Sequence, residues 1–489
     1  VAASENFLAI DLGAGSGRVM LGAFDGVGVN LEELHRFPNF GVQTLDSLHW
    51  SVLRIWQEIL SGLRIASKRN PLALGVDAWG VDFALLDRTG ELIGNPYCYR
   101  DPRTHGAMAE VLEKVSREEI FDHTGLQFME INSLYQLWSM RGTPALEAAD
   151  ALLMVPDLFH YWFTGRRVVE TTDASTTQFY DPRKKSWATG LLDQLGLPTG
   201  ILQPLEPPGA QLGPLLPSVS REVGLEGVTV VSPGTHDTAA AVVATPADGG
   251  DWAFLSSGTW SLLGAELPEP AITATALAKN FTNEGGVGGT TRLLKNICGL
   301  WLVEECRREW AKRGEDLSYQ ELIQSAKAAE SFRALIDVDD PSFVAPGDMP
   351  QRIREYCRKT GQPQPETQGQ FGRVIFESLA LKYRLTLADL AEITGRPART
   401  LHIVGGGSQN RLLCQYAADA CGIEVVAGPV EATALGNVLV QAMGLGRVSG
   451  LEQAREIVRR SFKLLRYEPA PEAGWDEAAE RLLELIRRR

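Results

Sequence analysis

Phe7-Leu8-Ala9-Ile10-Asp11 runs into Leu12-Gly13-Ala14-Gly15-Ser16-Gly17-Arg18 and then into Val19-Met20-Leu21-Gly22-Ala23-Phe24. Apolar and β-branched residues on both sides of a glycine-rich turn predict strand, turn, strand: a hairpin whose loop exposes several backbone N–H groups. Asn30 to Phe37 predicts a third strand. This reading competes with a dinucleotide-binding fold. Gly13-Ala14-Gly15 begins that fingerprint, and Glu32 or Glu33 lies near the distance expected of a ribose-binding acid. Two features oppose it: Arg18 stands at the third glycine position, and the residues that follow alternate like a strand instead of opening a helix. Asp11 would also sit against an anionic pyrophosphate with nothing to neutralise it. A Walker-type phosphate loop is excluded, because no glycine turn leads into Lys-Ser or Lys-Thr.

The pattern then recurs. Ala253-Phe254-Leu255-Ser256-Ser257-Gly258-Thr259-Trp260-Ser261-Leu262-Leu263-Gly264-Ala265 is again strand, small-residue turn, strand, and it ends in Leu-Gly-Ala as the first hairpin does. A duplicated fold with a phosphate-gripping hairpin in each half follows. A third glycine turn, Gly405-Gly406-Gly407, closes a predicted strand at 401–404. Each of the three turns on its own is also what a tight turn requires. Between these landmarks the chain alternates. Helical spacing appears at 51–68, 132–140, 156–163, 297–312, 370–393, 410–421 and 432–443, with strands at 72–76, 84–87 and 424–427. The proline-rich stretch 203–217 predicts loop, and 475–489 an amphipathic helix that packs. The expected domains are 1–245, 246–446 and a helical tail, 447–489.

In the middle lies Val230-Val231-Ser232-Pro233-Gly234-Thr235-His236-Asp237-Thr238, leading into an alanine-rich helix. A carboxylate at a strand-to-helix junction can accept a proton from a substrate hydroxyl. The alternative is that Asp237 merely caps the helix. If phosphates bind at the glycine turns, Asp11 needs a cation, and a hard carboxylate oxygen beside phosphate oxygens suits Mg²⁺. Asp11, Asp237 and Arg18 then make a phosphoryl-transfer set: metal holder, base for the acceptor hydroxyl, and charge neutraliser. Asp77, Trp79, Gly80 and Asp82, with Tyr99 to Thr104, offer the aromatic and polar mix of a sugar-binding wall. The same residues would also build a structural ion-pair network.

The totals narrow the class. A chain of 489 residues favours two or three domains, and 44% apolar with 22% charged residues is ordinary globular composition. Sixty-one acidic against 47 basic residues, net −14, argues against a general nucleic-acid or membrane-surface binder. The six cysteines, at 98, 298, 306, 357, 414 and 421, form no CxxC pair, so disulfides and structural zinc are not expected. Cys414 and Cys421 are expected to pack in a core. No apolar run approaches the roughly 18 residues of a membrane span, and the first residues show no basic and apolar leader. A cytoplasmic setting is expected.

Four of these stretches together resemble the FGGY carbohydrate kinases: Asp11 to Arg18, Gly75 to Phe83, Leu255 to Ser261, and His402 to Gly407. The similarity runs from about Phe7 to Gly446. It implies an α/β, actin-like ATPase (ribonuclease H-like) fold, two duplicated domains closing on a central cleft, with ATP and Mg²⁺ as cofactors. Ser16-Gly17-Arg18, Trp79 to Phe83, His236-Asp237-Thr238, Asn283 to Gly286 and Leu294 to Ile297 resemble the members that phosphorylate L-rhamnulose at the 1-hydroxyl. Another ketose or polyol, such as L-fuculose or xylulose, is the alternative. By motif position the resemblance makes Asp237 the base and lines the sugar with Gly80, His236, Thr238 and Asn296. It gives the nucleotide Ala14, Gly15, Ser16, Gly17, Arg18, Thr259, Gly405 and Glu304, the last standing where a glutamine is expected. The partners implied are a small sugar and ATP, with no nucleic acid and no membrane, in a monomer or homodimer.

Overall fold

A computed structural model describes residues 4–470 and 474–488. The chain divides into two compact units. One holds the residues up to Pro246 together with Glu266–Leu293 and Glu431–Phe462; the other holds Ala247–Ala265, Leu294–Val430 and the residues from Lys463 onward.

The first unit is built on a six-stranded sheet in the order Gln211–Pro214, Thr229–Val231, Pro71–Ala78, Glu5–Leu12, Ser16–Phe24, Val29–Pro38. The opening hairpin forms as its sequence predicts, with Glu5–Leu12 antiparallel to Ser16–Phe24 and Asp11 directly opposite Arg18. On its other side Glu5–Leu12 runs parallel to Pro71–Ala78, which sets Asp11 beside Asp77. From Phe7 to Leu12 the strand is buried at every position, the signature of a strand covered on both faces. The stretch 203–217 is not all loop: Leu205–Glu206 and Gln211–Pro214 are strands, the latter at the edge of this sheet. An edge strand tolerates Pro214 and Gly213, whose presence hides the pattern in the sequence.

Helix Ala432–Gly444 packs on strands Glu5–Leu12 and Pro71–Ala78 and on helix Asp237–Val243. It is apolar almost all round, as a helix buried on several sides must be. Besides Thr433 near its start, its polar residues are Asn437 and Gln441, both fully buried. Gln441 Nε2 donates to Leu8 O at 2.9 Å and to Asn437 Oδ1 at 2.6 Å. Asn437 Nδ2 in turn donates to Gly75 O at 3.2 Å and to Asp77 Oδ2 at 2.5 Å. The two helices approach so closely that a Cβ on Gly436 would lie 1.8 Å from Ala240 O.

The second unit is built on a seven-stranded sheet in which Trp260–Leu267, Trp252–Ser257, Thr400–Val404, Glu424–Ala427 and Leu465–Tyr467 follow in that order. Trp252–Ser257 is antiparallel to its hairpin partner and parallel to Thr400–Val404. The first strand of the chain has the same two kinds of neighbour, so the duplication extends from turn sequence to sheet topology. Helix Gln368–Thr394 opens with a capping box between Thr367 and Gln370 and stops at Gly395 in the left-handed region. The helix predicted over 297–312 starts later, at Trp301, because Ile297 belongs to strand Thr291–Cys298. Leu300 N and Trp301 N donate to Gly258 O and Thr259 O at 3.0 and 3.1 Å, so the hairpin turn, not an N-cap side chain, starts this helix. In the closing helix Trp475–Arg487, Trp475 packs edge-on to Phe332 and Tyr416. All six cysteines are free thiols, with Cys414 buried and Cys421 half-buried. Among the described residues no helix is long and apolar enough to cross a membrane.

Candidate active site

Strand Thr229–Val231 runs parallel to Pro71–Ala78, so the loop after it emerges at the same end of the sheet as Ala78. There Ala78 N donates to Thr235 O at 2.8 Å. Glu170 secures the rest of the loop. It accepts from Thr235 N at 2.9 Å, Thr235 Oγ1 at 2.7 Å and Thr172 N at 2.7 Å, and from Thr172 Oγ1. Thr172 Oγ1 accepts from His236 N at 3.2 Å. Burial raises the Glu170 pKa, and these hydrogen bonds pull against it.

Asp237 is the first residue of its helix, not the cap; His236 holds the cap position. The carboxylate therefore does not serve as the helix cap. Thr238 Oγ1 donates to Asp237 Oδ1 at 3.0 Å, and the side chain stays 33% exposed. Its pKa is raised above the ordinary carboxylate value: burial raises it most, His236 opposes, and the charge of Asp11 adds to the rise.

Asp11, Asp77 and Asp237 repel one another, and this shows in Asp77. Burial first, and Asp11 next, hold the Asp77 pKa well above the usual range, with only Asn437 and Arg18 pulling down. Asp77 Oδ1 has no hydrogen-bond partner. Arg18 supplies the compensating charge. Its Nη2 lies 2.5 Å from Asp11 Oδ2, and its Nη1 donates to Glu431. Burial works against the Arg18 charge, but the two carboxylates outweigh it and its pKa is raised. Among the described residues no three His, Cys, Asp or Glu side chains are grouped to hold a metal alone. What the site offers is an excess of buried carboxylate oxygen, which fits Mg²⁺ brought in on phosphates and held by one or two carboxylates.

Gly80 lies against Thr176, whose Oγ1 a Cβ would approach to 2.9 Å. The next residue, Val81, has φ +67°, a region that β-branched residues avoid. Val81 is pinned there: its N–H donates to Thr176 Oγ1 at 2.9 Å, and its carbonyl accepts from Ser133 Oγ at 2.6 Å. Asp82 is fully buried and accepts from Trp50 Nε1, Trp79 Nε1, Tyr99 N and Gln136 Nε2 at 2.6–3.1 Å. Asp101 accepts from Leu48 N at 2.5 Å and Arg103 N at 2.9 Å, and Arg103 donates to Gln136 Oε1 at 2.8 Å. Most of the residues expected as a sugar wall are thus engaged with one another in the structural network. Burial pushes the Asp82 pKa up to about 6 against its four donors. A raised carboxylate pKa means that the folded state holds its proton while the unfolded state releases it, so stability falls as pH rises from about 4 to about 6. At about 1.4 kcal/mol per pH unit the loss is about 3 kcal/mol. Denaturant unfolding at pH 4 and 6.5 is expected to show this loss in the wild type, and a smaller one in Asp82→Asn by that amount. An equal pH slope in both proteins would refute it.

His236 lies in a buried group of charges. Its Nε2 is 3.5 Å from Asp237 Oδ1, and its Nδ1 is 3.3 Å from Glu284 Oε2 and 3.1 Å from Arg292 Nη2. The sequence drew attention to Glu284 but not to Arg292, Glu170, Glu431 or Asn437.

The remaining expected site residues belong to the second unit. Thr259 is exposed at the tip of its hairpin, and Glu304 is exposed on the first turn of helix Trp301–Lys312, 3.3 Å from Arg307. Gly405 has φ +84°, and a Cβ there would lie 3.0 Å from Ser257 O. The glycine turn after Thr400–Val404 and the hairpin turn thus meet at Ser257. Asn296 is half-buried on strand Thr291–Cys298. Within the first unit the structure brings together Asp11, Arg18 and Asp237 with His236 and Thr238; within the second, Gly405 lies against Ser257, two residues before Thr259.

Family models match nearly the whole chain: the N-terminal domain of the FGGY family of carbohydrate kinases over residues 7–244, and its C-terminal domain over 253–445. A Bacteroides thetaiotaomicron protein named rhamnulokinase is 48% identical over 478 residues, covering 97% of this chain and 98% of its own. A protein of the same name from Pectobacterium atrosepticum is 46% identical over 97% of this chain and 95% of its own. Among solved structures, gluconate kinase from Lactobacillus acidophilus superposes with TM-score 0.79 at 14% identity, over 99% of this chain and 96% of that one. Plasmodium falciparum glycerol kinase with ADP superposes with TM-score 0.76, also at 14% identity, over 100% and 98%. The structural likenesses establish the actin-like ATPase fold, and the sequence likenesses go further: the chain belongs to the FGGY family of carbohydrate kinases.

Proposed function

We propose that this kinase transfers the γ-phosphoryl group of ATP to the 1-hydroxyl of L-rhamnulose, giving L-rhamnulose 1-phosphate and ADP, in rhamnose catabolism. The near-full-length likeness to proteins named rhamnulokinase supports the substrate. The chemistry is carried by one observation: Asp237 sits at the start of its helix with an accessible carboxylate that capping does not use. Asp237 takes the proton of the sugar hydroxyl as that oxygen bonds to the γ-phosphorus, and the bond from phosphorus to the β-phosphate oxygen breaks. Gly80, His236, Thr238 and Asn296 line the sugar. Ala14, Gly15, Ser16, Gly17 and Arg18 take phosphate oxygens, and Thr259, Glu304 and Gly405 take the remainder of the nucleotide. Asp11 would hold Mg²⁺, which when bound neutralises phosphate charge. The first unit thus carries the base and most of the sugar contacts, and the second carries Asn296 and the adenosine contacts.

Phosphoryl transfer is largely positioning and electrostatics, so a site of this economy suffices. We infer a cytoplasmic setting, which the six free thiols support, and a monomer or homodimer. The experiment is ADP release with Mg-ATP over L-rhamnulose, L-fuculose, D-xylulose and glycerol. L-Rhamnulose is expected to have the highest kcat/KM by about tenfold or more, the discrimination that hydroxyl recognition provides. Faster turnover of any other acceptor would reassign the substrate within the family.

A further inference from the structure

Arg292 is fully buried, on a strand interior, where a charged side chain is rare unless it is paired. Its Nε donates to Gly285 O at 2.8 Å, its Nη1 lies 3.2 Å from Glu284 Oε2, and its Nη2 lies 3.1 Å from His236 Nδ1. A guanidinium has only donors and does not lose its charge in proteins. The ring nitrogen that faces Nη2 must therefore present its lone pair. In the neutral ring the hydrogen then resides on Nε2, 3.5 Å from Asp237 Oδ1. The opposite tautomer would donate to Glu284 but would set an N–H against an N–H at 3.1 Å and aim the Nε2 lone pair at the Asp237 carboxylate. Both of those contacts are repulsive, whereas the Nε2–H form has one, the Nδ1 lone pair 3.3 Å from Glu284 Oε2, with the positive charge of Arg292 beside both. The other charged groups near this ring and its partners are Glu170, on the loop that holds Thr235, and Asp173, whose charge acts on Arg292.

We propose that Arg292 is a positioning residue that fixes His236 in the Nε2–H tautomer, anchored by Glu284 and Gly285 O. The imidazole then donates a hydrogen bond to the sugar oxygen adjacent to the hydroxyl whose proton Asp237 takes. The donor's role rests on the reading of His236 as a sugar contact; the tautomer does not. A fixed donor beside the base selects acceptors that carry an oxygen next to the reacting hydroxyl, because a substrate without it leaves the N–H unpaired.

Nitrogen-15 spectra of histidine-labelled protein, with His236→Gln to assign the signal, read the tautomer without any sugar present. The wild type is expected to show a protonated Nε2 and a bare Nδ1; a protonated Nδ1 would overturn the proposal. Glu284→Gln keeps the arginine donor and is expected to keep the tautomer, whereas Arg292→Gln is expected to mix the two forms. Arg292→Gln should also raise KM for the sugar about tenfold, the worth of one good hydrogen bond, with KM for ATP within about twofold. If the tautomer survives Arg292→Gln and is lost in Glu284→Gln, the glutamate sets it and the proposal fails. Should Arg292→Gln not fold, the wild-type and Glu284→Gln spectra still decide. If another ketose proves to be the substrate, only the sugar panel above fails.

Discussion

Asp237→Asn is expected to lower turnover by about 10²- to 10⁴-fold, the usual contribution of a positioned base. KM for the sugar should change little. The substitution keeps the shape of the side chain, and its carbonyl oxygen can still accept from Thr238 Oγ1, which now donates at 3.0 Å. The fold should not suffer either: burial and the charge of Asp11 disfavour a carboxylate at this place, and an amide relieves both. The melting temperature is therefore expected to stay level or rise while kcat collapses, a combination that general destabilisation does not produce. A pH profile adds a sign. Because the Asp237 pKa lies above the ordinary carboxylate value, the wild-type kcat should rise as pH increases through that raised value. The residual activity of the variant should lose this acidic limb. Turnover near the wild-type level would remove Asp237 from the mechanism.

Gly436→Ala is the second large effect, and its direction opposes helix propensity. In an exposed helix interior the change is favourable by about 1 kcal/mol. Here the new Cβ would meet Ala240 O at 1.8 Å and Ala240 C at 2.5 Å. Both are backbone atoms that no rotamer change can move aside, so helices Ala432–Gly444 and Asp237–Val243 must separate. Overpacking of this kind costs about 1–3 kcal/mol or more. The helix that moves carries Asp237, and a displacement of about 1 Å at a reacting group costs about 10²-fold in rate. Thermal unfolding and steady-state kinetics should fall together. Unchanged values for both would mean that the two helices are not in this close contact.

The framework was readable because its signals are local. Hairpin arithmetic across Gly13 to Gly17 sets Asp11 opposite Arg18, and apolar runs beside glycine turns identify the central strands of both sheets, though not the short outlying ones. Boundaries failed where a local signal was missing or masked. Gly213 and Pro214 disguised an edge strand, and the apolar run through Ile297 continued toward a helix with no capping residue to mark the change. In the site, Asp237 and His236 stood out by residue type and junction. Their supports did not, because each reaches them from far along the chain: Glu170 to Thr235, Arg292 to His236, Glu431 to Arg18, Asn437 to Asp77. One such support left a trace. Asn437 and Gln441, four residues apart in the apolar body of their helix, are a polar pair that a buried helix keeps to satisfy another element. Arg292 left no such trace, because its strand also carries Lys295 and Asn296.

Glu431–Phe462 belongs to the first unit although most of the second unit precedes it in the chain. Synthesis runs at roughly 5–20 residues per second, and early segments ordinarily fold while later ones are still being made. Here the opening strands cannot be roofed, nor Asp77 receive its amide, until residue 437 has left the ribosome. The first sheet must therefore wait, apolar face uncovered, for a helix made long after its own strands.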